Sequence, residues 1–599
     1  VNNPLYEARL NNFEYEKWDV FIDRLMAQWF LTDYLHLKGQ IAITKEFTKK
    51  ERFIDPLSSN TTAKAQKEAE LEGDLYLTKG ESTNWDAQIG AYVSKSFGAH
   101  ALNASVVVNA TSRKSESTSS HYRGFPSGEY HSPNYAAEIK DKPSKSQSAS
   151  RLAGFLLLAN YTWNDIYLAD VSVRFDGSSE FGLDQKWAPF WSFGAGVNLH
   201  NYAFLNGSKV INRMKFRASY GQTGKVNFPS YSARTVYRTF DRWYIAGFGV
   251  GLKALGNRDL KWETTNKLNV GTDMEFWNSR ISLIFDYYYN KTVDLITDVT
   301  LPGSAGFSSY KSNLGETLNK GFDIQFRFDV MKNKDWNVAL WGNLNHNRNE
   351  ILKISDALKA YNSQVEDYYG LAEESQTPTL SWTQAGKTYS DFIKPIMKYE
   401  EGASLTAIYG VRSLGIDPSN GKELYLYRNG QASHKWKATE EVVLGDSEPK
   451  ASGSFGLNAT YKNFSLFASF GYEWGKQTYN ETLIMNVENA DIQGSNVDKR
   501  VLTQRWEKPG DIAPLKDIKD MNSVTLPTSR FVQDENVLSL DALTLSYDFD
   551  PLWLRKIYLK TLRLEVSTSE LFRLSSIKQE RGTSYPFART VNFSLRATF

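Results

Sequence analysis

Several short stretches of this 599-residue chain carry residue types that do chemistry in other settings. Asp417-Pro418-Ser419-Asn420-Gly421 offers oxygen ligands and a glycine for a sharp turn, as a calcium loop does. It lacks the further acidic positions and the bidentate glutamate, and Pro ahead of Asn-Gly suits a plain turn, which is the expectation. Gly221-Gln222-Thr223-Gly224-Lys225 resembles the end of a phosphate-binding loop. Ser219 stands where its first glycine belongs, however, and Val226 follows the lysine where Ser or Thr is needed. The seven histidines (His36, His100, His121, His131, His200, His346 and His434) never fall within four residues of one another, so metal-ligand spacing is absent. No cysteine is present, which removes disulfides, thiolate sites and thiol nucleophiles. Neither a metal nor another cofactor is expected.

The acid pairs Glu366–Asp367, Glu373–Glu374 and Glu440–Glu441 have the chemistry for acid/base work on a glycan. Adjacent acids on a loop are more often solvated, and no Ser/His/Asp order accompanies them, so the chain does not read as an enzyme. Binding is better served. Residues 225–259 interleave Tyr231, Tyr237, Phe240, Trp243 and Tyr244 with Arg234, Arg238 and Arg242. Aromatic faces stack on apolar faces of ligands, arginine bridges hydroxyls or carboxylates, and both are common interface anchors. Ligand contact, partner contact and packing all remain open for this set. Tyr368, Tyr369 and Trp382 form a second group of the same kind.

These residues must be positioned by strands. Net charge is only +2, so no general basic field exists for nucleic acid. Aromatic residues make up 14% of the chain, yet mean hydropathy is −0.47. Large rings in a polar chain are what alternation produces. Val591, Phe593, Leu595, Ala597 and Phe599 fall on one face, against Thr590, Asn592, Ser594, Arg596 and Thr598. Phe322–Val330, Ile281–Tyr289, Phe464–Trp474 and Leu562–Val566 repeat the pattern. Helical periodicity is scarce. No run approaches the ~20 apolar residues of a membrane helix, but a barrel strand needs none, because only alternate residues face lipid.

Short connections are expected near Thr32–Tyr34, Phe97–His100, Thr162–Asp165, Trp277–Arg280, Lys332–Asp335 and Lys462–Phe464. Long ones are expected at 48–80, 125–147, 225–259, 352–449 and 481–534, the longest holding small strands such as Glu423–Tyr427. Alternating short and long connections are the mark of a transmembrane antiparallel β-barrel with periplasmic turns and extracellular loops. About 17 strands, starting near Phe21, are counted toward the ~22 of plugged transporters. The whole chain, 1–599, therefore reads as one partial barrel domain, with 352–449 as a long extracellular loop region within it. Val1, with no leader pattern behind it, reads as internal to a longer precursor.

Several segments stand in order along the chain. They include Arg174-Phe175-Asp176-Gly177-Ser178-Ser179-Glu180-Phe181, then Arg217-Ala218-Ser219-Tyr220-Gly221-Gln222-Thr223-Gly224. Leu260-Lys261-Trp262-Glu263, Asp286-Tyr287-Tyr288-Tyr289-Asn290-Lys291 and Asn313-Leu314-Gly315 with Asn319-Lys320-Gly321 follow. Val411-Arg412-Ser413-Leu414-Gly415-Ile416-Asp417-Pro418 and Val497-Asp498-Lys499-Arg500-Val501-Leu502 complete the series. In this order the segments resemble the SusC/RagA family of TonB-dependent outer-membrane transporters, and Lys225 and Pro189-Phe190-Trp191-Ser192 depart from its usual pattern at local turns.

The resemblance implies an importer of oligosaccharides, or of oligopeptides in the RagA-like branch, in the outer membrane of a Gram-negative cell. It implies a SusD-like surface lipoprotein as lid, TonB contacted through an N-terminal plug region not recognisable here, and a dimer of such pairs. It also casts Phe599 as the barrel-assembly signal. A passive porin and a barrel-anchored surface binding protein are the rival expectations.

Overall fold

Alternation becomes wall. The computed structural model describes the chain outside residues 1–3, 62–70, 183–184, 226–232, 245–246, 255, 258, 301–308, 314, 375–382, 385–386, 389–391, 491, 493–496, 521–522 and 579–588. At 238–244, 247–248, 253–254, 297–300, 309–312, 357, 371–374, 383–384, 387–388 and 557 it describes the backbone alone. The chain divides into two compact units: residues 1–164, 169–193 and 224–262, then residues 165–168, 194–223 and 263–599.

The first unit opens with an antiparallel meander of β1 (Phe13–Phe30), β2 (Leu35–Ile54), β3 (Asp74–Phe97), β4 (His100–Arg123) and β5 (Glu138–Trp163). Register sorts the side chains into two faces. Ile41, Ala87, Ala110 and Ala153 lie in one row across β2–β5, and Gly39, Ile89, Val108 and Phe155 in the next. Ile89, Val106, Val108 and Phe155 are all exposed. An apolar face left open on this scale needs lipid. From Trp85 to Phe97 along β3 is about 40 Å, which at the ~40° tilt of such strands projects to about 30 Å, a bilayer core.

After β6 (Tyr167–Ser178), β7 (Trp187–Asn198) and β8 (Ile211–Lys225), the second unit runs through nine more passes. They are β9 (Glu263–Phe276), β10 (Ile281–Val293), β11 (Glu316–Lys332) and β12 (Trp336–Lys353), followed by β13 (Ala451–Tyr461), β14 (Phe464–Tyr479), β15 (Val532–Asp548), β16 (Thr561–Ser569, resumed at Arg573–Ser575) and β17 (Thr590–Thr598). Each of these pairs antiparallel with the next. Leu543 and Leu545 of β15 meet Ala468 and Leu466 of β14, and Phe593 and Leu595 of β17 meet Val566 and Leu564 of β16, so the alternating residues of the sequence share one face.

The short connections fall where the sequence places them. At Trp277-Asn278-Ser279 all three residues take positive φ (52°, 56° and 58°), and Ser279 N donates to Asn212 Oδ1 at 3.0 Å to hold the turn. Strands run further than alternation predicts. β1 begins at Phe13 rather than near Phe21, and β2 and β3 extend to Ile54 and from Asp74, so their connection is shorter than 48–80. Beyond the apolar band both faces of the sheet meet water. Runs such as Lys79–Thr83 and Thr111–Ser120 are then polar throughout and carry no period.

Ser105 and Val106 are neighbours on opposite faces at mid-band, in register with Tyr92 and Ala91 of β3. Val106→Lys should cost about 2–4 kcal/mol by placing a charge in lipid. Ser105→Lys should cost far less. Urea titration of the protein folded into vesicles distinguishes the two, and equal losses would refute the assignment of faces.

Candidate functional site

Two structures in the second unit present polar chemistry: a lane along the polar face of the wall, and a folded block between the strands. In the lane, Gly271, Asp286, Asp323, Asn345 and Ser452 occupy one row across β9–β13. Asp286 and Asp323 stand directly opposite, an arrangement that repels unless each is satisfied. Arg217 of β8 donates to Asp286 at 2.7 Å and to Asp273 at 3.3 Å. Asn345 Nδ2 donates to Asp323 Oδ1 at 2.5 Å. A side chain at Gly271 would lie 2.4 Å from Asp286 Oδ1 and 2.9 Å from the Arg217 guanidinium carbon, so glycine keeps the space this ion pair fills. Arg213 reaches Asp273 and Glu275 at 3.6 and 3.7 Å. The result is a hydrogen-bonding surface in which two arginines stand among four carboxylates, Asp273, Glu275, Asp286 and Asp323, leaving it net acidic.

Residues 354–450 and 480–531 form the block. Its 19-residue helix α1 (Asp356–Glu374) buries Leu358, Val365 and Tyr369 along one face. Val365 and Tyr369 build a core with Phe392, Val411, Tyr425, Trp436 and Leu526. Ile393, Ile408, Tyr479, Ile484 and Phe531 make a second core, and Val487, Ala490, Val501 and Leu515 a third. The small strand expected at Glu423–Tyr427 is Glu423–Leu426.

A buried charge cluster ties the cores together. The Arg530 guanidinium donates to Glu423 at 2.8 Å, to both carboxylate oxygens of Glu488 at 2.6 and 2.9 Å, and to the Pro514 carbonyl at 2.8 Å. Thr528 Oγ1 donates to the second oxygen of Glu423 at 2.7 Å. Arg505 donates to the carbonyls of Val501 (2.7 Å), Val487 and Glu488 (both 2.5 Å), the last two in the π-helical turn Ile484–Glu488. Burial pushes the Glu488 carboxyl up, and the charge and hydrogen bonds of Arg530, with the charges of Lys516 and Arg505, together outweigh it, leaving Glu488 below its ordinary range. Burial also depresses Arg530, but Glu423 and Glu488 outweigh it and hold Arg530 firmly charged. Lys516 donates to Ser523 O and Oγ at 2.8 and 2.9 Å and to Thr525 Oγ1 at 3.2 Å, and burial pulls its pKa down to about 8.

The residues singled out by sequence are spread over both units. Tyr237 is exposed on the hairpin Val236–Tyr244/Gly247–Ala254 of the first unit. Phe240, Arg242, Trp243 and Tyr244 belong to the same strand, their side chains lying outside what is described. Tyr231 and Trp382 lie outside the described residues. Tyr368 is half-buried and stacks on Phe392 at 4.8 Å. Tyr369 is fully buried, donates to the Lys394 carbonyl at 2.5 Å and packs against Trp436, so it has no surface to offer a ligand. Helix spacing of Leu358, Val365 and Tyr369 would have placed it inside. Phe599 follows the end of β17 and is exposed.

Of the acid pairs, the side chains of Glu373 and Glu374 lie outside what is described, and members of the other two are tied into structure. Glu366 accepts from Lys398 at 2.7 Å, Glu440 accepts from the Arg428 amide at 2.7 Å, and Glu441 is buried. Asp417 accepts from Ser419 N and Oγ at 2.8 and 2.7 Å, closing a turn whose Gly421, at φ +73°, lies against the Trp506 ring. Sequence reasoning missed the Arg530 cluster because its members are 42 and 107 positions apart. The segments Val411–Pro418 and Val497–Leu502 flagged its surroundings: Val411 and Val501 are core residues, and Asp498 pairs with Arg500 and Lys578, both at 2.9 Å.

A family model described as "TonB dependent receptor-like, beta-barrel" matches residues 11–490. "TonB-dependent receptor P3" of Formosa agariphila is 28% identical over 582 residues, 95% of this chain and 55% of that protein. "TonB-dependent receptor SusC" of Bacteroides thetaiotaomicron is 25% identical over 464 residues, 73% of this chain and 42% of that protein. The chain thus spans about half the length of the curated relatives it matches. Among solved structures, that of the RagAB peptide transporter matches with a TM-score of 0.79 at 21% identity, over 96% of this chain and 60% of that one. The likeness at that identity is one of fold, a transmembrane antiparallel β-barrel.

Two outcomes follow for the folded block. Arg530→Met leaves two buried carboxylates unpaired and should destabilise the block by about 3–5 kcal/mol, so limited proteolysis should cut within 354–450 and 480–531 while the strands survive. The native block releases the Lys516 proton at about 8, whereas an unfolded lysine holds it to about 10.4. The unfolded block therefore binds more protons in between, and its stability should rise with pH from about 8 toward the onset of tyrosine ionisation near 10. Protease resistance measured across that window should lose its slope in Lys516→Met.

Proposed function

We propose, from the premise that this chain belongs to the TonB-dependent receptor-like β-barrel family, that it forms the wall and loops of an energised importer of oligomeric nutrients. The family is one of outer-membrane barrels. Its SusC/RagA-like members are those this chain resembles, and oligosaccharide or oligopeptide is accordingly the class of cargo. A SusD-like surface lipoprotein closes over the long connections, and TonB acts through a plug carried by the complete protein. A dimer of such pairs is the assembly proposed.

The observation that carries this reading is the folded block itself. A pore that passes solute by diffusion needs only a constriction, whereas a lidded importer needs a rigid rim against which a second protein closes. Three cores and a buried charge cluster give residues 354–450 and 480–531 that rigidity. The lane of Arg217, Asp273, Asp286 and Asp323 suits passage of a polar oligomer, because carboxylates held in place by an arginine and an amide offer hydrogen bonds along a net acidic face. Contacts to ligand or lid are assigned to Tyr231, Tyr237, Phe240, Arg242, Trp243 and Tyr244, with Tyr368 and Trp382 as a second group. Combined contacts from wall and lid raise affinity beyond either alone.

The test is to solubilise the outer membrane, recover the full-length protein and identify by mass spectrometry everything retained with it. A co-purifying surface lipoprotein, together with uptake of a labelled oligomer that collapses when the proton gradient is dissipated, is expected. A barrel that comes alone and conducts ions openly in a planar bilayer would make it a passive porin. Ligand binding at the cell surface without accumulation inside would make it a barrel-anchored binding protein.

A further inference from the structure

Near the edge of its apolar face the first unit carries a cleft that the importer does not use. Rows of residues locate it. Ile41, Ala87, Ala110 and Ala153 form a row that is apolar throughout, and the next row toward the long connections is Ile43, Trp85, Ser112 and Arg151. The apolar band therefore ends between these two rows, and Arg151 stands at its margin. There a largely apolar cleft of about 320 Å³ is lined by Trp85, Trp187, Ala110 and Ala153, with Arg151 and Lys186 also in its lining.

The cleft is built, not accidental. A side chain at Gly177 would lie 2.6 Å from the Trp187 indole, so glycine lets that ring lie against the backbone, and Phe175 stacks on it at 5.3 Å with planes 8° apart. The backbone of Arg151 is fixed in both directions by Ser179, whose Oγ accepts from Arg151 N at 2.9 Å and whose N–H donates to Arg151 O at 2.9 Å. The Lys186 carbonyl accepts from Ser178 N at 3.0 Å and from Trp262 Nε1 at 3.3 Å. Both indoles remain open to the outside, Trp85 39% and Trp187 54% exposed. Among the described residues neither the Arg151 guanidinium nor the Lys186 ammonium has a carboxylate partner. Arginines elsewhere on this chain are often paired, as Arg52, Arg123, Arg174, Arg213, Arg217 and Arg327 are.

We infer that this cleft binds one anionic membrane lipid from the leaflet on the side of the long connections. The acyl chain lies between Trp85 and Trp187 over Ala110 and Ala153, and the headgroup phosphate is held by Arg151 and Lys186. The depth decides the occupant. A trough on the apolar face meets acyl chains before it meets any soluble solute, while two cations without a carboxylate partner among the described residues stand at the band margin, at headgroup level, where basic residues attract anionic lipid. Arginine also supplies the paired donors that suit phosphate oxygens.

The experiment uses the full-length protein, delipidated in neutral detergent and titrated with phosphatidylglycerol or phosphatidylcholine, with bound lipid counted by native mass spectrometry. Preferential retention of phosphatidylglycerol is expected. The double variant Arg151→Gln/Lys186→Gln should weaken it roughly tenfold or more while phosphatidylcholine binding stays unchanged. Ala153→Met, which fills the trough and leaves both cations, should also lower phosphatidylglycerol occupancy. Equal retention of both lipids, indifference to the double variant, or displacement of phosphatidylglycerol by inorganic phosphate alone would each overturn the inference, the last by making this a free-anion site. Because none of these readouts involves transport or a lid, the inference and the proposed importer fail separately.

Discussion

The long strands of the wall answer to one constraint: a backbone that crosses lipid must find partners for all its N–H and C=O groups within the protein. The continuous ladders of β1 to β5, with twenty or more paired positions at β2–β3, β3–β4 and β4–β5, meet it without help from side chains. Once the backbone is satisfied, side chains are free to follow their surroundings. Alternate positions then diverge into an apolar set and a polar set, and the low mean hydropathy of a chain with so many rings follows directly.

That division governs where charge can be kept. Asp286 and Asp323 sit opposite one another on adjacent strands, which repels unless a cation and an amide are brought to them. Arg217 and Asn345 do this, and Gly271 is glycine because the ion pair occupies the space above it. The lane is thus a set of mutual dependencies spread over β8 to β12. Its members are 52 to 69 positions apart around Arg217 alone, so these polar groups hold one another in place across strands far apart in sequence.

The same physics sets what could be read from sequence. Strands within the band announced themselves because water and lipid impose opposite demands on adjacent residues: Val591 to Phe599, Phe322 to Val330 and Ile281 to Tyr289 each kept to one face. Turns were legible because positive φ at Trp277-Asn278-Ser279 or Lys462 leaves a composition trace. Past the band the trace fades, so Phe13–Val20 and Asp74–Lys79 carry no clear strand signal in the sequence. Helix α1 carries a signal in the spacing of Leu358, Val365 and Tyr369, although the long connection around it reads as loop. The Arg530 cluster carried none, since Glu423, Glu488 and Arg530 become neighbours only after three segments fold together.

A buried ion cluster of that kind is a weak source of stability, because desolvating three charges consumes most of what their attraction returns. Well-packed apolar residues in place of Arg530, Glu423 and Glu488 could hold the block together as firmly. What apolar residues would not do is specify one arrangement. Arg530 must present its donors to two carboxylates and the Pro514 carbonyl at once, and Arg505 fixes the adjoining π-helical turn through the carbonyls of Val487 and Glu488. A slip of any segment strands a charge in the interior at a cost of several kcal/mol. The cores of Tyr369 and Phe531 press the segments together, and the charges decide how they register. For connections of this length, which would otherwise sample many shapes, registry is the scarcer property. It is also what a surface must have if a second protein is to close on it the same way each time.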